Sequence, residues 1–305
     1  MTPVIRGIVY KIIAVSLFVA MAACIKAASD HVPPGQRVFF RSFFAIPVII
    51  LWLWWLGDLA HGLRTQHPLS HLWRGMFGSS AMGLRFTALG LLPLIEVTAI
   101  GYAGPLLTVI FAAIFLGERI RGFRITAVSV GLIGVLIVIW PRLTLLSNGF
   151  GQWEALGALM VLASAGFVAI AHVFIRKLTA TEHTAAIAFY FALMTTLLSL
   201  LTLPFGWVWP QTDAWVQLVS AGVLGGIAQV VLTSSYKHAP ASVVAPFEYV
   251  SMLIALTVGY VLFAEVPTTP MLLGAGLVVC AGLAVIYRER QLGKRSLLRT
   301  TITNT

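Results

Sequence analysis

The chain alternates long apolar runs with short polar punctuation along most of its length. A bilayer core of about 30 Å needs roughly 20 apolar residues of helix. On that ruler ten runs qualify, at about 8–28, 35–56, 73–92, 94–116, 122–140, 154–174, 184–204, 214–236, 242–264 and 269–287. Arg85 interrupts the third. The third and fourth nearly touch at Leu92-Pro93-Leu94, where proline disfavours continuing helix. The longest connections, near 57–72 and 141–153, are too short for a soluble domain. Arg6 and Lys11 ahead of the first run resemble a signal peptide, but no small-residue cleavage site leads into a hydrophilic stretch. That run therefore reads as a retained first helix.

Basic residues set the orientation. With the N-terminus cytoplasmic, 15 of the 20 Lys and Arg residues fall in inside segments, including Arg6, Lys11, Arg64, Arg74, Lys177, Lys237 and the basic tail 288–305. The other five are Lys26, Arg37, Arg41, Arg85 and Arg142. An even number of spans then places both termini in the cytoplasm. Composition agrees with a lipid solvent: 59% of residues are apolar, 10% are charged and mean hydropathy is +0.94, against about 25% charged in soluble domains. The net charge of +10 and pI of about 10.1 could signal nucleic acid. The basic residues lie between apolar runs, however, so they read as orientation signals and headgroup contacts. Cys24 and Cys280 lie inside apolar runs without metal-ligand spacing and read as packing residues.

The sequence also repeats itself at an offset of about 147 residues, which aligns Pro93 with Pro240, Tyr102 with Tyr249, and Glu118 with Glu265. Ser16-Leu17-Phe18-Val19-Ala20 finds a weaker echo in Ala165-Gly166-Phe167-Val168-Ala169. Each half, 1–141 and 154–287, holds five spans, an odd number, so the halves must enter the membrane from opposite sides. The expected fold is an all-α membrane protein of ten helices in two inverted five-helix repeats, an architecture that places a substrate site between the halves.

Ala88, Pro93 and Leu116-Gly117-Glu118 in the first half, and Ala239-Pro240 closing on Phe263-Ala264-Glu265 in the second, resemble the drug/metabolite transporter superfamily in its EamA-type ten-helix branch. The second copy has Phe-Ala where the first has Leu-Gly. Arg41, in Phe40-Arg41-Ser42-Phe43-Phe44-Ala45, matches that family's arginine early in the second helix. The resemblance implies a basket around a central cavity, lined by the fourth and ninth spans with the first, third, sixth and eighth. The fifth and tenth spans would serve packing or dimer contacts, in a monomer or homodimer. It further implies alternating access for cargo such as amino acids, riboflavin, nucleotide-type metabolites or drugs. The fold does not name the cargo.

Charges inside spans are costly and usually face a cavity or a partner. Arg41 is a candidate for the pathway or for an ion pair, and Arg85, some seven residues inside the third span, for the cavity. Arg37 and Lys26 read as snorkelling residues. Glu96 opens the fourth span, as a helix-terminal carboxylate or a partner for Arg41 or Arg85. Glu248 reads as a deep carboxylate without an obvious partner, suited to an amine or a proton. His172, Gln229, Tyr102 and Tyr249 are further candidates for the pathway. Pro93, Pro240, Glu118 and Glu265 read as structural. His67 and His71 have ligand spacing, but Pro68 intervenes and no third ligand is near, so no metal is expected. No cofactor or ATP-binding loop is expected, which leaves a gradient or exchange as the driving force. The absence of HExxH, GxSxG or paired intramembrane aspartates argues against an enzyme. Gly222 with Gly226, Gly131 with Gly134, and Gly274 with Gly282 read as helix-packing positions. The expected cargo is a small organic metabolite, amino acids foremost and exported, with uptake of a vitamin or nucleoside-like compound as the alternative.

Overall fold

A computed structural model describes residues 3–116, 122–147, 151–178, 181–239, 245–284 and 287. Glu118, Pro240 and the basic tail lie outside the described residues. The helices are α1 (Pro3–Ala27), α2 (Pro34–Trp55), the single turn α3 (Leu59–Gly62), α4 (Pro68–Ala88), α5 (Leu94–Gly101), α6 (Ala103–Leu116), α7 (Gly122–Ser147), α8 (Gln152–Leu178), α9 (Thr184–Leu200) and α10 (Thr212–His238). A 3-10 turn, Ala245–Tyr249, runs directly into α11 (Val250–Phe263), and α12 covers Thr269–Ala284. No strand occurs among the described residues. Taking α5 with α6 as one segment, and the 3-10 turn with α11 as another, gives ten helical segments after the single turn α3 is set aside.

Among the described residues, four helices are long and apolar enough to cross a membrane by length and composition: Pro3–Ala27, Pro34–Trp55, Gln152–Ile175 and Thr212–Ser235. Two of the other segments fall short of that standard for identifiable reasons. The third starts earlier than its apolar run, at Pro68, and carries His71, Arg74 and Arg85. The fourth, expected as one helix over 94–116, is broken: α5 stops at Gly101, and Tyr102 caps it before α6 begins. Pro105 explains the break, because it has no amide hydrogen to give the carbonyl four residues back, at Gly101. The outer surface remains apolar, with Leu51, Ile114, Leu136 and Leu253 pointing outward and Trp55, Trp153 and Trp209 exposed at or beyond helix ends, the placement of an interfacial aromatic belt.

The two halves of the chain interleave. α1 packs on α10 as α8 packs on α4; α2 packs on α10 as α9 packs on α4; α1 meets α11 as α8 meets α6. Each of these contacts turns into its partner when segments five apart are exchanged. The contacts of α2 with α9 and of α5 with α11 turn into themselves. The largest apolar core accordingly joins both halves, with Ile25, Leu94, Ile95 and Ile100 packed with Ala255, Met271 and Val278. Small residues permit the close approaches. Gly222 and Gly226 of α10 admit Phe44 and Val48 of α2, and Gly134 of α7 and Gly274 of α12 each lie against the other's carbonyl oxygen.

Candidate functional site

The most concentrated chemistry lies where the two halves meet at their interrupted helices. Tyr102, at the break of the fourth segment, and Tyr249, at the 3-10 to α transition of the ninth, stand with ring centroids 5.2 Å apart and planes tilted by 52°. The Tyr102 hydroxyl lies 2.5 Å from Ser251 Oγ and donates to the Glu248 carbonyl at 3.3 Å. Tyr249 reaches in the other direction, its hydroxyl seated over Gly282 of α12, where any Cβ would overlap it. A tertiary contact thus holds each ring.

Glu248 does have a partner, contrary to the expectation from sequence: its Oε2 accepts from Lys11 Nζ at 2.8 Å. Lys11, which reads as an orientation residue near the start of its span, is 2% exposed, whereas the Glu248 side chain is 49% exposed. The pair is closed on the lysine side and open on the glutamate side. Around it, Arg85 lies within electrostatic range of Glu248 and Tyr102, and its guanidinium presses against Gly101. His172, exposed on α8, has Nδ1 3.5 Å from Thr108 Oγ1. It is within range of Glu248, Lys11 and Arg74. The fold therefore gathers Arg85, Tyr102, His172, Glu248 and Tyr249 and adds Lys11, Ser251 and Thr108, which sequence reasoning passed over. A lysine eight residues into the first helix was the one available signal for Lys11.

The other candidates are placed differently. Arg41 is 5% exposed on α2, and no ion pair joins it to a carboxylate among the described residues. Arg37, expected to snorkel, is instead 2% exposed, and its Nη1 donates to the Ile25 carbonyl at 3.3 Å. Arg74, expected in an inside segment, is buried with its guanidinium 4.2 Å over the Phe191 ring. Glu96 is buried in the first turn of α5, and Gln229 is half-buried on α10.

Two carboxylates organise the ends of the bundle. Pro93 precedes α5 as its N-cap residue, and the Leu94 amide donates to both oxygens of Glu265, at 3.0 and 2.9 Å. Glu265 also pairs with Lys26 at 3.2 Å, whose ammonium donates to the Leu92 carbonyl at 2.7 Å. Lys26, too, is held instead of snorkelling. A carboxylate from the second half thereby serves the helix terminus of the first, where the macrodipole favours negative charge. At the opposite end of α4, Glu182 accepts from the amides of Gln66 and His67 at 2.6 and 3.1 Å and from the Thr65 hydroxyl at 2.9 Å. His71 Nε2 lies 3.7 Å from its other oxygen. Burial alone would raise the Glu182 pKa; these donors and His71 outweigh it and hold the carboxyl below the ordinary carboxylate range.

The EamA-like transporter family matches the chain twice, over residues 5–140 and 155–288. The chain is 30% identical to the pseudopaline exporter of Pseudomonas aeruginosa over 280 residues, covering 92% of this chain and 95% of that one. It is 28% identical to the S-adenosylmethionine uptake transporter of Rickettsia felis, covering 84% of each chain. Identity is also 28% to the riboflavin transporter of Rhizobium johnstonii, over 84% of this chain and 82% of that one. A solved crystal structure with 24% identity superposes with a TM-score of 0.65 over 94% of this chain and 98% of the other, which establishes the likeness of fold. The named relatives carry small molecules, and Lys11, Arg85 and Glu248 meet at the junction of the two halves. This chain is a multi-pass membrane protein that belongs to the EamA-like transporter family.

Proposed function

We propose that this protein is a secondary transporter of small metabolites bearing an amino-acid head, working by alternating access across a bacterial inner membrane, with export as its direction. The Lys11–Glu248 pair carries the reading. An amino acid presents the same two charges as that pair, with opposite signs facing it. Its carboxylate can take Lys11 and Arg85 while its ammonium takes Glu248, so opening the pair leaves neither partner uncompensated. A neutral cargo would offer no such exchange. The pairwise exchange of helix contacts between the halves supports an inverted repeat, with this cluster close to the axis that relates them. Tyr102 and Tyr249 would then contact the cargo's side chain. The same ring pair supports a second reading, transport of a planar compound between aromatic faces, which the riboflavin-transporting relative favours.

The test is selectivity in proteoliposomes. Wild-type protein should carry a free amino acid in preference to its N-acetyl and carboxamide analogues. Glu248→Gln should remove the penalty for the blocked amine, and Lys11→Gln should reduce that for the blocked acid, each by about tenfold or more, as for a charge-assisted hydrogen bond. Unchanged selectivity in both variants would exclude the amino-acid head and favour the planar cargo.

A further inference from the structure

Two of the buried charges outside the central cluster donate to no acceptor among the described residues. Arg41 on α2 and Arg74 on α4 are 5% and 6% exposed, and their charges lie within electrostatic range of each other. Among the described residues no carboxylate pairs with either. Arg41 Nε, Arg74 Nε and Arg74 Nη1 are buried with no hydrogen-bond partner among the described residues. The surroundings shape the guanidinium groups without neutralising them. Phe191 takes the face of Arg74 at 4.2 Å, a contact that uses the π surface and leaves the in-plane donors for something else. Gly225 gives Arg41 its room, since a Cβ there would come within 3.1 Å of Nε.

Two like charges buried without a counter-ion destabilise a fold by more than their packing returns. A guanidinium offers parallel donors that match the oxygens of a carboxylate or phosphate. His172 lies within electrostatic range of Arg74 as well as of Lys11 and Glu248, which links Arg74 to the central cluster.

We infer that Arg41 and Arg74 form a second oxyanion subsite, and that the cargo carries, besides its amino-acid head, a further carboxylate or phosphate group. The inference rests on the transport reading above and narrows the cargo from amino acids in general to acidic ones. A zwitterion without net charge would satisfy Lys11, Arg85 and Glu248 and leave both guanidinium groups uncompensated. A second acid group gives both guanidinium groups an acceptor, a carboxylate offsetting one of the two charges and a doubly ionised phosphate offsetting both.

The experiment is thermal unfolding of the full chain in detergent, titrated with glutamate, glutamine and inorganic phosphate, with chloride at matched ionic strength. Glutamate should raise the unfolding midpoint at lower concentration than glutamine, by about tenfold for one charge-assisted contact, and phosphate should raise it where chloride does not. A response to phosphate alone keeps the subsite and assigns it phosphate; a response to glutamate alone assigns it carboxylate. Arg41→Met and Arg74→Met should abolish the response and raise the midpoint in ligand-free buffer, because an uncompensated buried charge has gone. Arg74→Lys, which keeps the charge without the planar fork, should fold and weaken the response. The inference is overturned if wild type distinguishes neither glutamate from glutamine nor phosphate from chloride. It is equally overturned if both methionine variants lose stability or fail to fold while Arg74→Lys responds as wild type. The two readings fail separately: altered amine selectivity in Glu248→Gln, with glutamate and glutamine indistinguishable, keeps the amino-acid head and removes the second subsite.

Discussion

Glu182 shows how much one residue can carry in a connection between helices. The first amides of a helix have no partner within it, and α4 begins at Pro68, just past the two amides that Glu182 receives. Because the folded carboxyl titrates below its ordinary range, it stabilises the fold at every pH above that range. The stabilisation is lost as pH falls through the depressed folded value. Glu182→Gln should therefore lower stability at neutral pH by about 1–3 kcal/mol, the cost of leaving buried donors short of a charged acceptor. It should also flatten the acid limb of a stability-against-pH curve. An acid limb identical to wild type would show that the carboxylate contributes nothing there. Nothing in the sequence pointed to Glu182, since its partners lie more than a hundred positions away. Lys11 and Arg74 misled for a related reason: positions near the ends of apolar runs read as headgroup contacts, and only the packing of a second helix shows that they are covered.

At the scale of elements, the order of the helical segments, Pro93 and the small-residue positions were legible because they depend on local hydropathy and steric size. The break in the fourth segment was written there too, as a glycine and a proline four residues apart. It was overlooked because continuous hydropathy outweighed the lost hydrogen bond. The Phe-Ala that departs from Leu-Gly in the second half has a structural counterpart. Ala264 ends α11 with φ of 52°, a left-handed conformation that costs a residue with a Cβ about 1–2 kcal/mol. The turn places Glu265 over the start of α5, with its own amide bonded to the Gly259 carbonyl at 3.0 Å. Ala264→Gly should accordingly stabilise the protein by about 1 kcal/mol, after the greater freedom of glycine in the unfolded chain is set against the relieved strain. A midpoint unchanged or lowered in thermal unfolding would mean that Ala264 is not strained.

At the scale of the whole molecule, the exchange of helix contacts between halves is the counterpart of the 147-residue repeat, which periodicity alone could align but not fold. Orientation rests on the basic residues, and it is open to direct measurement. Reporter fusions after Arg64, Lys177 and Thr305 should read cytoplasm, and one after Ser147 should read periplasm; a periplasmic Thr305 fusion would exclude ten crossings. The seam between Gly134 and Gly274 bears on how such a molecule could move. Where side chains interdigitate, two helices can slide by changing rotamers. Backbone resting on backbone has no rotamers to change, and translation along or away from the seam would break the contact at once. Rotation about it remains. In mechanical terms, if one half rocks against the other as the proposed transport requires, the glycine pair of α7 and α12 would serve as its fulcrum.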